Sequence, residues 1–325
     1  MHNIGRTLPN VNGSTSKKRL KYFMFESEVV KAVIRENTKR EFDIIHTHGS
    51  LTKAAFILKK ICGLKWIHTF HAIERNRVKK LSKEEKHFED LITWGESTVN
   101  FCDGAIYVSN SINIQGRKLY QIKNNIIIPN GVDTQLFKYS PIMIKNVLFI
   151  GRFSKEKGIK LFPDIIEKVM NIEEATITLL TPYNVLPKDM EKIHYKIHLY
   201  EKKYKNRIKI ITKAIDQDSI ADLYKNFQVY IQPSKYESFG LCIIEAMATG
   251  RPVVAFRVGG IPKLIGVCGF VVNDKGSFLT KIEELLNNRD LCQKIGEKAR
   301  ARAENFKWDI IANKTIDFYK VILNE

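Results

Sequence analysis

Short apolar, β-branched runs alternate along the chain with longer stretches whose apolar residues recur at helical spacing. From Phe42 the reading is a strand (FDIIH), a turn carrying two histidines (HTHGS), a helix over Leu51 to Ile61 closed by Gly63, and a strand over Lys65 to Phe70. A helical region from Ser82 to Phe101 follows, then a strand from Ala105 to Ser109, then IIIPNGVD ending in a turn at Asn130 and Gly131. The pattern breaks over Lys138 to Lys145, around Pro141. A second series then runs NVLFIGR, a helix after Gly158, ATITLLT, a basic helix from Pro187 to Lys205, and RIKIIT. It continues with a helix near Ser219 to Phe227, the strand VYIQP ending at Pro233, a helix over Gly240 to Thr249 stopped by Gly250 and Pro252, PVVAF, GFVV, and helices to Glu325. Strand–helix alternation of this kind predicts parallel sheets covered by helices. Two such series predict an α/β protein of two doubly wound domains facing a cleft, with active groups at the carboxyl ends of strands. The expected organisation is 1–140, 141–307, and 308–325 as a C-terminal helix packing back on the first domain.

Composition narrows the class. At 325 residues, 44% hydrophobic and 27% charged, the chain suits two globular domains. No apolar run approaches the roughly 18 residues that cross a bilayer, and the first twenty residues lack the apolar core of a signal peptide. Five scattered cysteines, an odd number, point to reduced thiols and a cytoplasmic protein. The net charge of +18 divides as +11 over residues 1–145 and +7 over the rest. Solvated basic faces, an anionic substrate or an anionic membrane surface all fit that balance. Over Lys17 to Arg40 basic and apolar residues interleave, as an ordinary surface helix or a peripheral contact with the inner face of a membrane would have them. No zinc-finger, RRM or basic-zipper pattern supports nucleic acid as a partner.

The candidate chemistry gathers in the second series. Glu237 precedes the helix that starts near Gly240, and Glu245 lies within it, about 12 Å further along if helical geometry extends back. Between them is a helix N-terminus, whose free amides and positive dipole end suit a phosphate. Taken alone the pair reads first as one exposed turn glutamate and one snorkelling helix glutamate. The turn GRFSKEKG puts Arg152 and Lys157 beside another helix start, a guanidinium fork and an ammonium able to neutralise a diphosphate. It is not a P-loop, having no GK[ST]. His46, His48, His71 and Ser109 fall at expected strand ends, and the histidines of HTH and HTFH (His46, His48, His68 and His71) have no acidic ligand nearby, so no metal site is expected. His71 is placed to hold a sugar hydroxyl. His194 and His198, one helical turn apart, lack the HExxH glutamate and read as a solvated face.

Together these motifs resemble the retaining group 1 glycosyltransferases of the GT-B fold, two Rossmann-like domains around a cleft. The matching stretches are HTHG at His46, HTFH at His68, DGAIYVS at Asp103, IPNGVD at Ile128, GRFSKEKG at Gly151, PSKYESFGLCIIEAMATGRPVVA at Pro233, GGIP at Gly259 and FKWDIIANKTIDFY at Phe306. The resemblance spans Phe42 to Tyr319. It implies a sugar moved from a UDP-, ADP- or GDP-linked donor to an acceptor with retention of configuration, with no cofactor and usually no metal. Arg152 and Lys157 would hold the donor diphosphate, and Glu245 the ribose hydroxyls. Glu237, with the backbone of Phe239, Gly240 and Leu241, would hold the sugar and adjoining phosphate, and His71 would bond the sugar from the opposite domain. Implied acceptors are a lipid-linked sugar, a polysaccharide or a small molecule. LITWGES, at Leu91, is similar to members using ADP- or UDP-glucose.

Three departures qualify the match. Only about 40 residues precede the first histidine motif, so up to two βαβ units and a Gly-rich turn are expected to be missing from the first domain; Gly5 and Gly13 follow no strand. Lys263 stands after GGIP where an acid is usual, and Lys213-Ala where a glycine is usual. A truncated, non-catalytic donor-binding subunit is the alternative from another class. A nucleotide-sugar 2-epimerase is disfavoured by ESFGL with glutamates eight apart.

Overall fold

The structure, a computed structural model, describes residues 15–49, 51–78, 96, 98–142, 144–182 and 188–325. The N-terminal glycines, most of the helical region expected over Ser82 to Phe101, and most of LITWGES lie outside the described residues. The chain forms two compact units, one of residues Met1–Pro129 with Ala312–Glu325, the other Asn130–Ile311.

The first unit holds a four-stranded parallel sheet in the order β1 (Ile44–His48), β2 (Lys65–Phe70), β3 (Gly104–Tyr107), β4 (Asn124–Ile127). From Trp66 to Phe70 and throughout β3 every residue is buried, as continuous apolar runs in a parallel sheet require. Helix α1 (Thr15–Asn37) packs on α2 (Thr52–Cys62), and burial among these elements raises the Glu26 carboxyl to about 6. Gly63 ends α2 in the left-handed region, its N–H returning to the Lys59 carbonyl. Asp103 accepts hydrogen bonds from the Trp66 amide at 2.7 Å and the Lys59 ammonium at 2.6 Å, tying β2 to α2. Two short helices, α3 (Glu74–Val78) and α4 (Asn110–Arg117), follow β2 and β3. Residues Phe318 and Ile322 of the C-terminal helix crowd Gly104, where a Cβ would stand 2.9 Å from each.

The histidine turn expected after the first strand is itself strand: β1 runs through to His48. Parallel pairing to Thr69 carries it that far, and the side-chain period of two then puts His46 and His48 on one face.

The second unit holds a six-stranded parallel sheet of β5 (Asn146–Ile150), β6 (Thr176–Leu180), β7 (Ile208–Ile211), β8 (Val229–Gln232), β9 (Val253–Phe256) and β10 (Phe270–Val272), ordered β10-β9-β8-β5-β6-β7. The chain winds outward from β5 to β7 and then restarts beside β5 at β8. Strand order therefore reverses between β5 and β8, the position where such sheets bind ligands beyond the carboxyl ends. Its helices are α5 (Phe162–Met170), α6 (Glu191–Lys203), α7 (Gln217–Lys225), α8 (Leu241–Ala248), α9 (Ile261–Ile265), α10 (Lys275–Asn287) and α11 (Arg289–Ala303), with α12 (Trp308–Leu323) ending the chain. Asp216, Asp274 and Asn288 start α7, α10 and α11 by accepting the amide three residues on. Phe149, Phe162, Ile165, Ile231 and Phe278 are fully buried in the core.

Residues 130–140, read from sequence as the end of the first domain, pack within the second unit. Phe137 is buried edge-on against Tyr224. The Arg300 guanidinium donates to the Phe137 and Ala248 carbonyls at 2.9 and 2.7 Å, and buried Arg251 reaches Ser140 and the Tyr224 and Lys225 carbonyls. The break in apolar pattern near Pro141 thus marks a strap over the second unit, and the division between units falls at Pro129.

Candidate active site

The turn after β5 is shaped by a glycine. Gly158 has φ of +76°, and a Cβ there would lie 1.9 Å from the Pro233 carbonyl oxygen. Only a residue without a side chain lets this turn press onto the end of β8. The Lys235 amide then donates to the Glu156 carbonyl at 2.8 Å, fastening the two loops together. These contacts deliver the Lys157 ammonium to Glu237 Oε2 at 2.7 Å, both side chains being four-fifths or more buried. Arg152 lies in the same turn but is 56% exposed, and its nearest carboxylate is Glu156 at 3.4 Å. It is held only loosely, as an exposed pair is.

From Glu237 the chain crosses a polar loop to α8. Gly259 has φ of +53°, and a Cβ there would stand 1.7 Å from the Glu237 carbonyl oxygen; the Gly260 amide donates to that oxygen at 3.1 Å. The GGIP turn therefore backs the Glu237 loop. Phe239 is buried near Phe306, with ring centroids 6.1 Å apart. Gly240, at φ +106°, forms the N-cap and makes no side-chain cap. Leu241 opens the helix and is 47% exposed. The helix begins at Leu241 and does not extend back to Glu237, and no side chain caps its N-terminus.

Glu245 is one turn into α8. Its Oε2 lies 3.1 Å from the Tyr224 hydroxyl, which also donates to the Cys242 carbonyl at 2.9 Å. Burial raises the Glu245 carboxyl to about 6, against which the Tyr224 hydrogen bond works. Sequence reading missed Tyr224. It missed equally a buried ladder at the end of β8, where the Tyr230 hydroxyl donates to Gln232 Oε1 and Gln232 Nε2 to Ser234 Oγ, each at 2.6 Å. A tyrosine and two polar residues inside an apolar strand were the available signal. A cavity of about 330 Å³ opens at the carboxyl ends of β8, β9 and β10, lined by Lys235, Arg257 and Lys275 among others. None of the expected donor-binding residues lines it.

His71 belongs to the first unit, just beyond β2. Its Nε2 lies 2.9 Å from His48 Nδ1. His46 spans Tyr319 and Thr69, its Nδ1 2.5 Å from the tyrosine hydroxyl and its Nε2 2.7 Å from Thr69 Oγ1. The Thr47 hydroxyl accepts the Trp66 indole N–H and meets His68 Nδ1, both at 2.8 Å. Burial lowers all four histidines, His46 to about 4 and His68 to about 3, with neighbouring rings adding to the effect in His46, His68 and His71. His194 and His198, expected to face solvent, instead bond each other at 3.0 Å, and His198 bonds Glu201 at 2.8 Å. His194 packs edge-on to Phe153.

Two Rossmann-like units of parallel sheet, one presenting a paired lysine and glutamate before an open helix N-terminus, define the GT-B class of α/β proteins. The solved structures agree on the fold. Sucrose-phosphate synthase from Thermosynechococcus elongatus matches with a TM-score of 0.77 at 24% identity, over 94% of this chain and 80% of that one. Anabaena HepE, solved with UDP and glucose, matches with 0.72 at 20% identity, over 97% and 84%. The family model described as Glycosyltransferase Family 4 matches residues 2–136, and that described as Glycosyl transferases group 1 matches residues 144–288. The chain belongs to the group 1 glycosyltransferases, in family 4. An uncharacterized glycosyltransferase of Methanocaldococcus jannaschii is 25% identical over 94% of this chain and 82% of its own length. The sulfoquinovosyl transferase of Arabidopsis thaliana is 31% identical over 52% of this chain, which spans about a third (32%) of that relative.

Proposed function

We propose that the protein transfers a sugar from a nucleotide-sugar donor to an acceptor with retention of anomeric configuration. The observation that carries the reading is the Lys157–Glu237 pair, 2.7 Å apart, in the loop that leads into α8, whose N-terminus no side chain caps. A lysine so held has its charge unquenched by solvent and is available to a diphosphate. When phosphate oxygens take the ammonium, the Glu237 carboxylate is released to accept hydrogen bonds from sugar hydroxyls. Exposed Arg152 closes over the same phosphates. Charge building on the leaving diphosphate is stabilised by both cations and by the amides of Phe239, Gly240 and Leu241. The bond from the anomeric carbon to the diphosphate oxygen breaks, the acceptor oxygen bonds to that carbon on the same face, and the departing phosphate oxygen takes the acceptor proton. Glu245, one turn inside the helix, accepts from the ribose hydroxyls, and His71 bonds the sugar. Glu237 thus contacts the reacting sugar, and the remaining residues of the second unit hold the donor.

The relative solved with UDP and glucose makes UDP-glucose the first donor to test, with ADP- and GDP-linked hexoses beside it. Lipid-linked sugars, polysaccharides and small molecules are the acceptor classes. On the first unit, Leu20, Phe23 and Met24 of α1 are 58, 56 and 59% exposed, beside exposed Lys21. That apolar stripe on a basic helix supports peripheral attachment to the cytoplasmic face of a membrane and a membrane-borne acceptor. Among the described residues no helix is long and apolar enough to cross one.

In calorimetry against the donor panel, Lys157→Ala and Glu245→Ala each weaken nucleotide-sugar binding by about tenfold or more, the loss of one charge-assisted contact. Unchanged affinity in both would sink the proposed site. Release of nucleotide from one donor with lipid or soluble acceptors establishes transfer; donor binding without release would instead make the chain a donor-binding subunit.

A further inference from the structure

The first unit carries a hydrogen bond that the proposed site does not use: His71 Nε2 to His48 Nδ1, 2.9 Å. A bond between two ring nitrogens contains one proton, so one ring donates and the other accepts. The surroundings disfavour a second. Burial depresses protonation of all four histidines, and neighbouring rings add to it in His46, His68 and His71. Both nitrogens of His46 are already engaged, by Tyr319 and Thr69, and His68 Nδ1 is engaged by Thr47. Two nitrogens of the cluster face outward from the pair, His71 Nδ1 and His48 Nε2. If His71 donates through Nε2, both rings adopt the Nε2–H form that histidine prefers in water. The opposite arrangement forces both into the less favoured one.

Resting on the proposed contact between His71 and the donor sugar, we infer that His48 is a positioning residue for His71. It accepts the His71 Nε2–H, fixes the plane of that ring, and leaves the Nδ1 lone pair of His71 as the acceptor for a sugar hydroxyl. The two rings meet end to end, with centroids 5.2 Å apart, so the outward His48 Nε2–H points away from His71 Nδ1 and the pair presents the sugar with the His71 acceptor. The His46 ring lies tilted to the His48 ring, centroids 4.4 Å apart, and is itself anchored by Tyr319. The C-terminal helix therefore holds the cluster from behind. The HTHG stretch then does more than end a strand, because its second histidine sets the chemical face of the histidine that follows the next strand.

The test uses the full chain labelled with ¹⁵N, read by long-range proton–nitrogen correlation of the histidine rings at neutral pH. In the wild type, His71 carries its proton on Nε2, with a slowly exchanging N–H. His48→Phe keeps a ring and removes the acceptor, and the slow exchange disappears. His48→Asn, whose amide oxygen can stand where Nδ1 stood, restores it. Turnover with the best donor follows the same order: kcat falls about tenfold in His48→Phe with little change in donor KM, and recovers to within about threefold in His48→Asn. Trp66 emission checks that each variant folds. A wild-type proton on His71 Nδ1 overturns the inference, as does full turnover in His48→Phe. If His71→Ala leaves turnover untouched, the sugar contact itself is wrong, and the ring spectra still decide the His48–His71 bond.

Discussion

Glu245 shows how one carboxylate links ligand binding to stability with opposite signs. Its acid form is favoured by burial, at a value near 6 instead of the ordinary 4.5. Between those values the folded chain keeps a proton that the unfolded chain has lost. Its contribution is complete below pH 4.5 and is lost as pH rises through 6. Glu245→Gln, which cannot titrate, flattens the fall in urea midpoint across that window. Donor binding runs the other way, because an ionised carboxylate accepts both ribose hydroxyls; affinity in calorimetry rises as pH passes 6, and the Gln variant loses that rise. Gly158 acts through space instead of charge. Any side chain there meets the Pro233 carbonyl while holding a left-handed backbone. Gly158→Ala therefore costs about 2 kcal/mol in denaturant unfolding and displaces Lys157 from Glu237, so its loss of donor affinity accompanies the loss of stability.

At the scale of elements, most strands and helices were legible because each carries its own period and punctuation. The strand Lys65–Phe70 falls where its apolar run and following histidine put it, and the helix over Leu241–Ala248 starts at Gly240 and stops before Gly250. Where the reading failed, a neighbour supplied what the local sequence lacked. HTH is polar enough to read as a turn, yet pairing with β2 extends β1 through both histidines. His194 and His198 read as a wet face and stay part-exposed there, with the added feature that they bond each other and His198 bonds Glu201. Helix α1 poses the reverse case, since Leu20, Phe23 and Met24 stay exposed. Replacing all three with serine is expected to abolish flotation with anionic lipid vesicles and leave donor binding by the second unit unchanged. Flotation undiminished by the triple change would remove the apolar stripe from the account.

For the whole molecule, the two units respond to acid by different means. The first buries neutral histidines, so below pH 6.5 its unfolded chain takes up protons that the fold refuses. Stability from this source is present above 6.5 and is lost as pH falls toward 4 for His46 and toward 3 for His68. Trp66, buried and 6.4 Å from His68, is one of three tryptophans in the chain; with Trp94 and Trp308 replaced by Phe, the denaturation midpoint seen by its emission drops across that range. His68→Asn keeps a partner for Thr47 without a titrating ring and removes part of the drop; an unaltered slope would refute the assignment.

Taken by itself, the sequence determined the α/β class with two parallel sheets, the glycosyltransferase family, and which short stretches carry charge beside helix starts. These follow from period, capping and motif, all of which act over a few residues. Tertiary structure alone decided that Lys157 spans 80 residues of chain to meet Glu237, that Tyr224 shares Glu245, and that the strap 130–140 belongs to the second unit. It also decided that His48 faces His71. Each of these depends on which strands lie side by side and on where a glycine lets two loops touch, and neither is written in the spacing of residues along one segment.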